Sequence, residues 1–265
     1  MRKTILCALI ALSILPFITT KGQTYSSLWK QANDSAEKDL PQTEREVVRK
    51  IAAKAEKEKA YGQLLKAELK EAQLVTNISP DSLSPAVERL KKREQQAQNV
   101  ALKAIYETVL GRIYRDNTQL DDNWKQLAAD YWQKAVAQPQ LLAAVKTTDY
   151  EPFVEKGTDS RYYDHTLLGV ICTETERFDV LHSYYLTTQN REAQLLSALS
   201  YLSVQSLSSK ILSHRLDSLI NLYGDLQACG EAAIMRYERG DFEERGKRFD
   251  HEREKIAFID EALKR

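Results

Sequence analysis

In segment after segment of this chain, apolar residues return every three or four positions, and no stretch alternates convincingly as a half-buried strand does. A chain written this way buries its apolar side chains by laying helix against helix. Tyr25, Leu28, Trp29, Ala32 and Ala36 share one face of a helix over 25–38, which Leu40-Pro41 ends while opening the next. Val47, Val48, Ile51, Ala52 and Ala55 make the stripe of that second helix. Leu64, Leu65, Leu69 and Ala72 make the stripe of a third, over 61–75, closed by the turn residues Asn77-Ile78-Ser79-Pro80-Asp81. Ser84-Pro85 then reads as the cap and first turn of one long helix. It carries Val87, Leu90, Ala97, Val100, Ala101, Ala104, Ile105, Val109 and Ile113 to a stop at Asp116-Asn117. The connections are short, so neighbouring helices are expected to pack antiparallel.

Beyond Thr118 the texture changes. Asp121-Asp122-Asn123 precedes a helix with Trp124, Leu127, Tyr131, Trp132 and Val136 inward, and residues 149–163 are the least regular stretch. Helical spacing then returns through LLGVIC, FDVLHSYYL, REAQLLSALSYLSV, ILSHRLDSLINLY, ACGEAAIMRY and KIAFIDEAL. The last of these, with Ile256, Ile259 and Leu263 on one face, has no Gly or Asn to cap it and reads as truncated at Arg265. Ala36-Glu37-Lys38 is echoed by Ala55-Glu56-Lys57, without the full signature of a tetratricopeptide repeat. The expected fold is therefore all-α: stacked antiparallel helical hairpins in a helical-repeat, TPR-like array with no substantial sheet. A leader over 1–22 is followed by N-terminal hairpins and a long helix over 23–118, then a second helical subdomain over 119–265.

The leader is read from MRKTILCALIALSILPFITTKG, with Arg2 and Lys3 ahead of an apolar core and small residues before Gln23. It reads as a signal peptide for export to the periplasm or cell envelope. Its apolar run is too short to span a membrane, and no later one approaches the roughly 20 residues required. The 38 basic and 38 acidic residues are interspersed, so no net field gathers nucleic acid or an anionic membrane. The basic triplet Lys91-Lys92-Arg93 has Glu88 and Glu94 beside it and reads as a solvated face.

Few residues carry chemistry by their spacing. Gln227-Ala228-Cys229-Gly230-Glu231 resembles the opening of an internal thioester, but that bond needs a Gln three residues after the Cys, where Ala232 stands. Cys229 is instead expected to face a helical core with Ala233 and with Ile234 or Tyr237. Cys172 and Cys229 are the cysteines beyond the leader. An exported chain allows them a disulfide, worth about 4 kcal/mol on the chain-entropy model, or leaves them as two buried thiols. His251-Glu252 lacks the second His of a zinc helix, since position 255 is Lys, and Ser213-His214 with Asp217 lies within about one helical turn, too close to assemble a triad. No catalytic, cofactor or metal residues are assigned, and no enzyme activity is expected. Asp81-Ser82-Leu83 fits a short acceptor pattern for O-glycosylation at Ser82, in an expected exposed turn. Tyr150, Phe153, Tyr162 and Tyr163, in the irregular stretch, are candidate binding aromatics for a peptide or glycan held in a groove between hairpins.

Several blocks in order, YSSLWKQANDSAEKDLPQTEREVVRKIAAKAEKEKAYGQLLKA, DYEPFVEKGTDSRYYDHTLLGVI, and NLYGDLQACGEAAIMRY with KIAFIDEALKR, resemble the N-terminal helical region of large bacterial alpha-2-macroglobulin-like proteins. The resemblance implies a non-catalytic scaffold at the head of an exported protease-trapping protein. The β-sandwich domains, cleavable bait segment and thioester of that family would lie beyond the residues seen here. Its partner would be the downstream domains of the same polypeptide or another envelope protein. The alternative is a free-standing exported module that binds a peptide or glycan.

Overall fold

The computed structural model describes residues 23–240 and 248–262, and among these the chain forms thirteen α-helices and no sheet, apart from one isolated antiparallel bridge between Lys146 and Thr166. The leader expected over 1–22, Leu263 and the side chain of His251 lie outside the described residues. The expected all-α array of packed hairpins is the observed architecture.

The first three helices follow the apolar stripes closely. They are α1 (Tyr25–Glu37), α2 (Pro41–Glu58) and α3 (Tyr61–Ile78). Thr24 caps α1 by accepting from the Ser27 N–H at 3.2 Å, and Pro41 opens α2 at a position where no intrahelical N–H is needed. Leu28, Ala32, Val47, Val48, Ile51, Ala67 and Leu74 form the cluster between them.

The long helix expected over 84–116 is two helices, α4 (Leu83–Gln96) and α5 (Val100–Asp116). The cause is Asn99. Its side-chain oxygen accepts from the Leu102 N–H at 2.9 Å, which caps a new helix, and also from the Tyr150 hydroxyl at 2.9 Å. An Asn inside a helix is only mildly unfavourable, whereas an Asn with both acceptor positions filled fixes a break.

The remaining helices are α6 (Trp124–Ala135), α7 (Pro139–Ala143), α8 (Leu167–Glu174), α9 (Phe178–Tyr185), α10 (Arg191–Val204), α11 (Ser209–Tyr223), α12 (Cys229–Arg239) and α13 (Arg248–Ala262). One hydrophobic cluster runs unbroken from Leu65 on α3 to Ala193 on α10, including Leu110, Leu142, Leu168 and Leu181. It crosses Thr118, so apolar packing marks no boundary there. A separate cluster joins α10, α11 and α12 through Leu199, Leu216, Ile220 and Ala232, with Phe258 of α13 packed against it. On α13 it is Phe258 that turns inward, while Ile256, of the expected apolar stripe, is 58% exposed.

Backbone approaches side by side without a Cβ at Gly62 and Gly111. A methyl group on Gly62 would stand 2.2 Å from the Glu151 carbonyl oxygen, and one on Gly111 would stand 2.4 Å from the Trp132 ring. On propensity alone, Gly62→Ala within α3 would stabilise the helix by roughly 1 kcal/mol. The clash with the backbone of residues 150–151 reverses that sign. Gly62→Ala is expected to lower stability by about 1–3 kcal/mol in a chemical unfolding titration, and a gain would show that residues 150–151 do not sit on α3.

Candidate functional site

A concavity of about 550 Å³ lies between α10, α12 and the loop that follows the 3-10 turn Thr158–Arg161. Each wall follows from helical spacing. Leu196, Leu199, Ser200 and Ser203 recur at three- and four-residue intervals on α10, while Gly230, Ile234 and Met235 with Gln227 and Glu231 line the α12 side. The third wall is Asp159, Arg161, Tyr162 and Tyr163.

That third wall is irregular backbone held by named contacts. Tyr163 is buried, tilts against Tyr185 at 5.4 Å between ring centroids, and packs on Gly169, where a methyl group would come within 2.9 Å of its Cβ. The side chain of Asn190 donates to the Tyr162 carbonyl at 2.9 Å, tying the loop to the start of α10. Tyr162 is half-buried, its ring covered by the Arg161 guanidinium at 4.6 Å, and that guanidinium also donates to its hydroxyl at 2.6 Å. Burial pushes the Tyr163 hydroxyl up to about 12, so it is a neutral hydrogen-bonding group at any physiological pH.

The floor is apolar and the rims are polar and of mixed sign. Ile234 is 53% exposed, against the expectation that it faces the core; α12 is rotated so that Cys229 and Ala232 are the buried residues, with Tyr237 outside as well. Gly230 meets nothing within 4 Å where its side chain would be, so this position faces open space above the floor.

Of the four candidate aromatics, Tyr162 and Tyr163 meet at this groove and the other two do not. Tyr150 is 3% exposed, stacks on Tyr61 at 6.3 Å and holds Asn99, so it is a structural residue and cannot present a binding surface. Phe153 lines a different cavity, of about 340 Å³, with Val109, Arg112 and Val170. Ser82 lies in the 3-10 turn Pro80–Ser82 as expected but is half-buried there.

Cys172 and Cys229 are both buried, and no disulfide joins them. They belong to different hydrophobic clusters, Cys172 with Leu168 and Leu181, Cys229 with Ile220 and Ala232, which is why the expected option of a bridge is not realised. Burial pushes the Cys172 thiol up to about 12, which suppresses the thiolate and its chemistry.

The inventory Ser213, His214, Asp217 is dispersed by the helix: Ser213 is buried, His214 points to solvent, and Asp217 pairs with Arg236 at 2.9 Å. His182 is half-buried against Tyr201, and burial lowers its pKa; His165 is exposed beside the Ser160 hydroxyl at 3.1 Å. Among the described residues no group of three or more His, Cys, Asp or Glu side chains is placed to hold a metal ion, and no helix is long and apolar enough to cross a membrane.

The α10 and α12 walls were not singled out in the sequence. The available signal was the pairing of Ser200 and Ser203 with Leu196 and Leu199, small polar residues on an otherwise apolar face, which lower the height of the wall. The fold and this groove define an all-helical module with an open, apolar-floored cleft. No protein-family model, curated protein or solved structure matches the chain.

The thiols provide a direct check. In the chain from Gln23 onward, a thiol reagent under native conditions is expected to leave Cys172 unmodified, and unfolding without reductant is expected to expose both thiols. Recovery of fewer than two thiols would mean that a bridge forms.

Proposed function

We propose that this chain is an exported helical interaction module that seats a short extended segment of a partner protein in the groove between α10, α12 and Tyr162. The groove carries this reading. Its floor of Leu196, Leu199, Ile234 and Met235 accepts an apolar side chain, while Gln227, Ser203 and Glu231 stand ready to hydrogen-bond a peptide backbone. A peptide fits better than a glycan. Sugars are gripped by a flat exposed aromatic face, and here the Tyr162 ring is already covered by Arg161 while Tyr163 is buried.

The resemblance to the leading helices of alpha-2-macroglobulin-like proteins supports a setting for this contact, at the head of an envelope protease trap. In that setting the bound segment belongs to a following domain of the same polypeptide or to an envelope partner. The module itself is assigned no catalysis. Ala232 in place of the required Gln supports that assignment for thioester chemistry, since it has no side-chain carbonyl to acylate.

Binding to an immobilised peptide library tests the groove. Gly230→Trp, placed where nothing lies within 4 Å, is expected to abolish peptide capture with thermal stability unchanged, and Tyr162→Ala to weaken it by roughly tenfold, the size of one aromatic contact. Capture that survives Gly230→Trp sinks the reading. Export is tested separately: mass spectrometry of the protein made in a Gram-negative host is expected to find a mature N-terminus at Gln23 in the periplasmic fraction, and an unprocessed chain in the cytoplasm would refute it.

A further inference from the structure

A second cavity, of about 300 Å³, shares no lining residue with the groove and is bounded by α4, α5, α6 and α7. Glu94 of α4 and Glu107 of α5 face each other in it, and both are more than nine-tenths buried, at 8% and 5% exposure. Lys103 reaches Glu94 at 3.3 Å, whereas Glu107 has no cation within ion-pairing distance among the described residues. The Glu107 carboxyl is within hydrogen-bonding reach of the Glu94 carboxyl. Two buried carboxylates thus share one contacting cation, Lys103, while Lys134 acts on Glu107 only from a distance.

The rest of the cavity shows what shape of charge fits. Val100, Ala104, Ala135 and Leu142 make apolar walls, and Lys134 and Gln138, both exposed, stand at the mouth. A divalent ion is disfavoured, because Lys103 and Lys134 line the same small space and repel it. A single positive charge on an apolar stem satisfies both features.

We propose that this cavity binds a primary ammonium group carried on a short aliphatic stem, with the ammonium between Glu94 and Glu107 and the stem along Val100, Ala104 and Leu142. The same chemistry comes from a small free amine or from a lysine side chain of a partner protein. In the empty site a proton stands in for the ammonium. Burial and the facing Glu94 push the Glu107 carboxyl up to about 7, against the pull of Lys103 and Lys134, so near pH 6 the pair holds one proton in a hydrogen bond between the two carboxyls. Entry of R–NH₃⁺ displaces it: the O–H bond breaks, the proton leaves to buffer, and both carboxylates end ionised and hydrogen-bonded to the ligand. No electrons move.

The experiment is calorimetric titration with n-butylamine and with Nα-acetyl-lysine amide, the uncharged control being Nα-acetyl-norleucine amide, in buffers of different ionisation enthalpy. Near pH 6 binding is expected to release close to one proton per ligand, and above about pH 8 close to none. Binding of butylamine alone identifies a small free amine as the ligand; binding of the lysine amide as well identifies a lysine side chain. Glu107→Gln keeps the shape and a hydrogen bond to Glu94 but removes the charge, and is expected to weaken binding at least about tenfold and to remove the proton release. Lys134→Ala, at an exposed position, removes a repelling cation and is expected to tighten binding by roughly threefold. No binding of either amine, equal binding of norleucine amide, or proton release unchanged in Glu107→Gln would each overturn the proposal.

Discussion

The arrangement of the helices depends most on the carboxylate of Glu68. It sits on α3, accepts from the Tyr106 hydroxyl of α5 and from the Arg93 guanidinium of α4 at 2.6 Å, and that guanidinium reaches on to Glu56 of α2 at 2.7 Å. Four helices meet at one charge. The contact joins the cluster built by α1, α2 and α3 to the larger cluster that begins on α3 and passes through α5. Apolar packing between two such clusters is tolerant of sliding, because one methyl surface resembles another. A buried carboxylate is not tolerant: removing its partner leaves an uncompensated charge and costs about 3–5 kcal/mol. Burial itself acts to raise the pKa of Glu68, and the charge of Arg93 and the hydroxyl of Tyr106 act against that rise. The network contributes register more than net stability. Burial and the Glu68 charge together raise the Tyr106 phenol well above its usual range, so it remains the donor.

From that fixed stage the groove follows by a chain of local contacts. Tyr150 rests on Tyr61 and secures the break at Asn99, which places α5 and hence α8, whose Gly169 admits Tyr163. At the other wall, Arg191 at the start of α10 holds Asp225 in the turn after α11 at 2.9 Å, and Arg236 of α12 holds Asp217 of α11 at 2.9 Å, so α12 is tied to α11 and their connecting turn to α10. The exposed Arg191–Asp225 pair is individually weak, and the Arg236–Asp217 pair is partly buried. Their value is geometric: they set the rotation of α12 that buries Cys229 and Ala232 and leaves Ile234 outside.

What could be read in the sequence was what depends on neighbours within a turn or two of helix. The stripes Val47, Val48, Ile51 and Ala55, or Leu64 and Leu65, are local patterns, and each became a buried face. What escaped depends on partners far along the chain. The break before Val100 needs an Asn whose oxygen is shared by a tyrosine 51 residues away, and no local rule separates that Asn from one tolerated within a helix. Tyr150 and Tyr163 were expected outside because their segment is rich in turn residues. An irregular backbone can still carry core side chains when a glycine on a neighbouring helix, here Gly62 or Gly169, lets it approach. The rotation of α12 is a similar case: two of the apolar residues near Cys229 face out, and contacts with residues far along the chain, such as Arg236 with Asp217, go with that choice.

Glu68 and Glu107 sharpen the difference between a buried charge that builds a fold and one that is left available. Both are carboxylates withdrawn from water within the same set of helices. Glu68 also borders a cavity of about 300 Å³, but it has a guanidinium and a phenol on it. Glu107 has another carboxylate opposite it, lysines that partly offset but do not contact it, and a cavity alongside. Replacing Glu107 by a neutral residue would relieve the fold of an unfavourable charge, whereas replacing Glu68 would take from Tyr106 its acceptor and reduce Arg93 to its Glu56 contact. A buried carboxylate with no contacting cation is a cost to the fold, and that cost is what the proposed ammonium ligand would offset.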